Sequence, residues 1–333
     1  MHGVLFLNIQ KIVQEQLELG DHRFENLEKA FATCSESKVP NEYESSAIEA
    51  FVDKFITCSL RNPMTRKIAM SVQCHNHTFT CSKRSSKCRF NFPRFPSLYT
   101  QVAVPLRLIF GEDEKGKAKE LQKMRTVLHK VRQILESKDI MIEVNKIYQD
   151  EIEEIIEENE LYLKAKHILD DHIFKKQICD FNEDFDGKVT FENTKLGDKL
   201  VENLKYFCEE HEAKYKLLEK ADLGYRRERL FKVLRSAQIE EDLEIDKDLD
   251  HEEKECQLIA KYHEILKHSV KGFTVNLKRD TNECFVNNFN HEWLSVWNAN
   301  MDVSCVFDFF AILVYVRQAS KHKYKGIINY LLI

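Results

Sequence analysis

Chain breakers are scarce in this sequence. Its 333 residues include 9 glycines and 5 prolines, where average usage would supply roughly 23 and 17. Tight turns and left-handed backbone draw on these two residue types. The shortage argues against a sandwich or barrel with many tight turns, and equally against a glycine-rich nucleotide-binding fold. It predicts a mostly helical chain. Hydrophobic residues make up 43% and charged residues 32%, so a buried core is within reach and the composition argues against wholesale disorder. At this length the chain forms one large domain or two ordinary ones.

The net charge of −5 is unevenly spread, and the total points to no class of partner. The opening run MHGVLFLNI has no basic n-region and only a short apolar stretch, so it does not read as a signal peptide. The most apolar segment, Val306 to Val316, contains Asp308 and falls well short of the roughly 18 residues that a membrane span needs. A soluble nuclear or cytoplasmic protein is expected, neither secreted nor membrane-bound. In a reducing compartment its ten cysteines serve as thiols or metal ligands.

Composition divides the chain into three zones. Residues 1–110 hold most of the His/Cys clustering and short apolar runs; Met1 to Ile9 and Gln101 to Phe110 read as strands, with Pro105 confining the second to a sheet edge. Residues 111–270 are the helical zone. There Leu121, Met124, Leu128, Val131 and Leu135 recur at helical spacing, as do Tyr148, Ile152, Ile155 and Tyr162. Leu204, Phe207, Leu217, Leu218, Leu230, Phe231 and Leu234 supply a third set. The acidic run from Glu151 to Glu160 reads as a solvated helix face, because the apolar spacing accounts for every isoleucine in it. Residues 271–333 are richer in Asn and Phe and carry both tryptophans.

Between Asn182 and Asn193 the sequence NEDFDGKVTFEN imitates a calcium-binding loop, with oxygen ligands at positions one, three and five and glycine at six. Position twelve is Asn193, and the acid falls one residue early at Glu192. Without the bidentate glutamate the segment reads as an acidic turn between helices.

The densest chemistry lies in CHNHTFTCSKRSSKCRFNFPR, residues 74–94. Zinc takes four N or S donors in a tetrahedron, and His75, His77, Cys81 and Cys88 supply such a set around one tight loop. Cys74 and Cys58 are alternatives. Lys83, Arg84, Lys87, Arg89 and Arg94 interleave with Phe90, Phe92 and Phe95, and no acid occurs from Ser82 to Phe95. Cations that attract phosphate beside aromatic stacking faces are the composition of a single-stranded nucleic-acid contact.

The run NECFVNNFNHEWLSVWNANMDV, residues 282–303, resembles the replication-initiator region of Helitron transposases, close to the helentron-like subgroup. That family reads roughly NEC, then NNYNPELL, then WNANMDIQ. The upstream block, VQ, then HNHTFTC, then CRFNFPRFPS, is similar to the same family, where H-x-H-T-x-T-C precedes CRF-x-FPRPPS. The resemblance implies an HUH endonuclease that starts rolling-circle transposition on single-stranded DNA. In that family a His-hydrophobic-His pair holds a divalent magnesium or manganese ion, a tyrosine attacks the phosphate, and a helicase follows.

This sequence departs from the family at each catalytic point. His2, in MHGVLFL, stands where the second metal-motif histidine should be, and the first would precede Met1. Tyr315 matches the first tyrosine, while Ala319 occupies the place of the second. No G-x-x-x-x-G-K-[ST] phosphate loop occurs, so no nucleotide site is expected. The resemblance therefore implies an α+β, mostly helical fold: a remnant of the HUH antiparallel sheet with a His/Cys zinc loop in 1–110, a helical insertion in 111–270, and the tyrosine motif in 271–333. It implies single-stranded DNA binding with nicking lost. The alternatives are an active nicking enzyme, if the true start lies upstream, and a helical protein-interaction scaffold. The chain is accordingly expected to form no denaturation-resistant adduct with single-stranded oligonucleotides and manganese; an adduct that disappears in Tyr315→Phe would restore the enzyme.

Overall fold

The computed structural model describes residues 4–6, 9–18, 20–78, 81, 88–146, 149–166, 168–169, 195–305, 307 and 330–332. His2, Tyr315, Ala319 and the acidic 182–193 loop lie outside the described residues. The fold is mostly helical with a small mixed sheet, an α+β arrangement. Among the described residues no helix is long and apolar enough to cross a membrane.

Helices α1 (Ile9–Glu18), α2 (Leu27–Ser35) and α3 (Glu42–Phe55) open the chain. The start of α3 is fixed by a reciprocal cap. The Asn41 side chain accepts from Glu44 N at 2.9 Å, and the Glu44 carboxylate accepts from Asn41 N at 3.1 Å. Ala47, Ile48, Phe51 and Val52 then recur on one face and pack with Phe24, Leu27 and Ala30. The last zone completes this core: Leu277, Val286, Phe289, Leu294, Met301 and Val303 are buried in the same cluster. Helix α4 (Arg66–Val72) leads from it to the His/Cys loop.

Strand β1 (Val4–Phe6) falls within the N-terminal run read as a strand. Strand β2 (Gln101–Pro105) is shorter than its sequence pattern, because residues 106–110 turn into helix α5 (Leu106–Phe110). It is also central rather than an edge. Strand β3 (His268–Ser269) pairs with it in parallel and β4 (Thr274–Asn276) antiparallel, while β5 (Tyr330–Leu332) pairs in parallel with β1. Pro105 is tolerated because β4 accompanies only Gln101 to Ala103. Val104 N donates to Lys267 O on the β3 side at 2.8 Å, so the ring nitrogen of Pro105 faces past the end of β4, where no donor is needed.

The helical zone contains α6 (Glu114–Glu136), α7 (Lys138–Lys146), α8 (Gln149–Glu158), α9 (Lys195–Ser236) and α10 (His251–Leu266). Met124, Val131 and Leu135 are buried as their spacing requires, with Leu121 and Leu128 packed against them. They face Leu230, Phe231 and Leu234 of α9 and Leu258, Ile259, Tyr262 and Ile265 of α10. The earlier half of α9 is less covered: Tyr206 and Leu217 are about 70% exposed.

A buried charge network joins these two cores. Arg61 donates to Asp222 at 2.7 Å, to Asp280 at 2.8 Å and to Glu283 at 3.3 Å. Arg229 also binds the Asp280 carboxylate, and Arg226 binds Asp222 at 2.9 Å. Asp280, Glu283 and Arg229 are almost wholly buried. Asp280 and Glu283 in addition cap each other's backbone, so the NEC motif forms a rigid turn. Burial alone would raise the Asp280 carboxyl, but Arg61, Arg226 and Arg229 hold it well below the usual carboxylate range.

Removing one partner of a buried ion cluster leaves uncompensated charge. Asp280→Asn is expected to cost about 3–5 kcal/mol, measured as a lower urea midpoint at neutral pH. The sign of the pH effect follows from the depressed carboxyl. Its stabilisation is present above the unfolded value of about 3.9 and is lost as pH falls toward the folded value. The variant should therefore lose less stability on acidification than the parent; an unchanged midpoint would show that the network carries no weight.

Candidate metal centre

The four donors named by the sequence meet in space. One ligand atom from each of His75, His77, Cys81 and Cys88 lies within 4.8 Å of every other. Cys88 Sγ is 3.3 Å from His75 Nε2, and Cys81 Sγ is 3.6 Å from His77 Nδ1. Donors at 2.0–2.3 Å around a tetrahedral ion stand roughly 3.3–3.8 Å apart, so these two pairs already have the required spacing. The four residues could hold a metal ion.

Local backbone brings them together. Cys81 N donates to Thr78 O at 3.1 Å, which turns the chain immediately after the second histidine. Arg89 N donates to Cys81 O at 2.8 Å, drawing the second cysteine back over the first. Thr78 N approaches Cys81 Sγ at 3.3 Å, and the same sulfur lies 3.1 Å from Thr78 O, so the turn holds the thiol in place. Asn91, at φ 59°, reverses the chain after Cys88, and its N donates to Cys88 O at 3.1 Å. Asparagine is among the few non-glycine residues that enter this left-handed region readily.

Aromatic rings and the far NEC block form the wall behind the donors. His75 stacks on Phe92 with centroids 4.3 Å apart, and His77 meets Phe285 edge-on at 5.7 Å. His75 N donates to Phe285 O at 2.7 Å, and Arg94 N to Cys284 O at 2.8 Å. Burial, then the charges of His77 and Arg94, hold His75 below its ordinary value. The ring is thus neutral near pH 7, with a lone pair free to coordinate.

The alternative cysteines stand apart from this group. Cys58 is buried in the N-terminal core, its thiol directed at Lys278 O at 3.4 Å and pushed up by burial to about 12. Cys74 bridges to Val286 and packs against the same core. Of the five basic residues, Lys83, Arg84 and Lys87 lie outside the described residues. Arg89 is exposed, its guanidinium 4.7 Å over the Phe90 ring. Arg94 is different in kind: it lies over Phe92 at 5.1 Å and approaches Asp302 at 3.5 Å, bracing the two blocks against each other.

The asparagines of the last zone take the capping and turning roles their chemistry favours. Asn290 caps α11 (His291–Trp297) by accepting from Trp293 N at 3.0 Å, and Asn298 ends it in the left-handed region. Asn287 binds Asn300, and Asn288 accepts from Arg279. His291 is held by Thr65 Oγ1 at 2.7 Å. What sequence reasoning missed was the charge network under the NEC turn; its local signals were the Asp222/Arg226 pair at helical spacing and the Asp280/Glu283 capping pattern. A scan against family models, and searches of curated proteins and of solved structures, return no match to this chain.

Proposed function

We propose that this chain is part of a Helitron-type replication initiator in which a zinc-stabilised His/Cys loop presents a basic, aromatic surface to single-stranded DNA. One observation carries the reading. The two sequence blocks that resemble the family lie about two hundred residues apart, and they pack on each other around the four donors through the Cys74–Val286 bridge, the His75–Phe285 and Arg94–Cys284 hydrogen bonds and the Phe92–Phe285 stack. Blocks that belong to one functional unit should meet in this way; incidental matches have no reason to. Gln73 adds to the joint, accepting from Met301 N and donating to Ala299 O.

Zinc is the ion that a two-nitrogen, two-sulfur set favours, and a closed set of four protein ligands marks a structural site. Its role here is to pin the segment that carries Lys83, Arg84, Lys87 and Arg89. Those side chains attract phosphates, and exposed Phe90 offers a face on which a base can stack. Of the HUH antiparallel sheet that the resemblance implies, the described strands supply one antiparallel pair, β2 with β4, while β1 pairs in parallel with β5 and β3 in parallel with β2; Tyr315 is the residue that matches the family's nucleophile.

Several phosphate contacts make affinity fall steeply with salt. Arg84, Lys87 and Arg89 changed together to Ala should weaken binding to all single-stranded sequences about equally, and should flatten the plot of log affinity against log salt by roughly two units. Fluorescence anisotropy with labelled oligonucleotides from low to physiological salt measures both. Affinity that ignores salt, or a triple variant that binds like the parent, would leave the patch as solvated surface and favour the helical scaffold.

A further inference from the structure

A second group of cations lies outside the metal loop. A cavity of about 450 Å³ opens between the exit of that loop, helix α6 and the β3–β4 turn. Arg94, Arg132, His268, Lys271 and Arg279 line it, and no aspartate or glutamate does among the described lining residues. The chain as a whole carries 55 acids against 50 Lys and Arg. Such segregation in a concave site focuses positive potential.

The cations differ in how far they are already satisfied. Arg279 is spent: its guanidinium donates to Glu283 O, Val286 O and Asn288 Oδ1 at 2.5, 2.8 and 2.7 Å. Arg132 lies 5.1 Å over the Phe95 ring, and its buried Nε has no hydrogen-bond partner among the described residues. Arg94 Nε is likewise without one, and its Nη2 meets Asp302 only at 3.5 Å. A second acid, Glu120, lies 3.3 Å from His268 Nδ1. Neither acid pairs with Arg132 or Lys271.

Under-satisfied guanidinium groups at a cavity wall are costly unless an anion or water completes them. Here the guanidinium carbons of Arg94 and Arg132 lie 5.1 Å over the rings of Phe92 and Phe95, which keeps their charges at the cavity wall, within reach of the oxygens of a phosphate. The volume exceeds that of a bare ion and lies within the roughly 300–1,000 Å³ of small-molecule sites, room for a nucleotide-sized group. Asn91 both lines the cavity and hydrogen-bonds Cys88 O, so the cavity adjoins the metal loop.

We propose that this cavity is a phosphate-binding site built on Arg94, Arg132 and Lys271, and that the phosphate it takes belongs to a nucleic-acid strand running past the metal loop. The phosphate chemistry stands on the cavity alone; the strand as its source rests on the DNA-binding function proposed for the chain.

The test titrates the full chain with inorganic pyrophosphate and, separately, with a single-stranded oligonucleotide. Arg132→Gln keeps a polar planar group over Phe95 while removing the charge, and Lys271→Ala alters an exposed side chain that folding does not need. Each is expected to weaken the oligonucleotide about tenfold, the loss of one charge-assisted hydrogen bond, and to lower the salt slope by about one. Pyrophosphate binding should weaken with it. Pyrophosphate binding that depends on both residues, with unchanged oligonucleotide affinity, would keep the phosphate site and overturn the strand as its source. Oligonucleotide binding lost in the parent itself, with pyrophosphate still bound, would refute the DNA-binding function and leave the cavity standing. If neither ligand's affinity responds to Arg132 or Lys271, the site is overturned.

Discussion

Two carboxylates three residues apart, Asp280 and Glu283, are buried where the main segments of the chain converge. Charge in such a place is tolerated only if it is matched. The match comes from Arg61, beyond the first helices, and from Arg226 and Arg229 on α9. Each core could form from its own apolar residues. Their mutual placement depends on these arginines reaching the same turn, because a shifted segment would strand a buried charge. The turn then delivers Cys284, Phe285 and Val286 against the His/Cys loop. The four donor residues are thus positioned by an electrostatic joint made elsewhere.

Much of the helical zone was legible because its information is local. Spacing alone placed Met124, Val131 and Leu135 on a buried face, and it placed Leu230, Phe231 and Leu234 correctly as well. Leu217 fits the same pattern yet lies exposed, since the described residues offer that stretch of α9 little to pack against. Periodicity reports which face is apolar, not whether anything covers it. The strand ending at Pro105 shows a similar limit. Proline excludes a partner only on the side its nitrogen faces, and at that level β4 has already ended.

The donor set was legible because His75, His77, Cys81 and Cys88 close over a short loop. Sequence alone left Cys58 and Cys74 as substitutes, and only the packing of the first core takes them away from the group. Arg94 illustrates the opposite failure. In the sequence it is one more cation in a basic run; in the structure it braces the loop against Asp302 and lines a cavity. The charge network was invisible for a plain reason. Arg61 and its partners are 161 to 222 residues apart, so no window of sequence contains the pair.

Two distant blocks are proposed to enclose one zinc ion held by two nitrogens and two sulfurs. X-ray absorption at the zinc edge of the purified full chain tests this most directly. One zinc per chain is expected, with about two nitrogens near 2.0–2.1 Å and two sulfurs near 2.3 Å, lost in Cys88→Ser and retained in Cys58→Ser. A chain that binds no zinc, or whose zinc survives Cys88→Ser and is lost with Cys58, would contradict it.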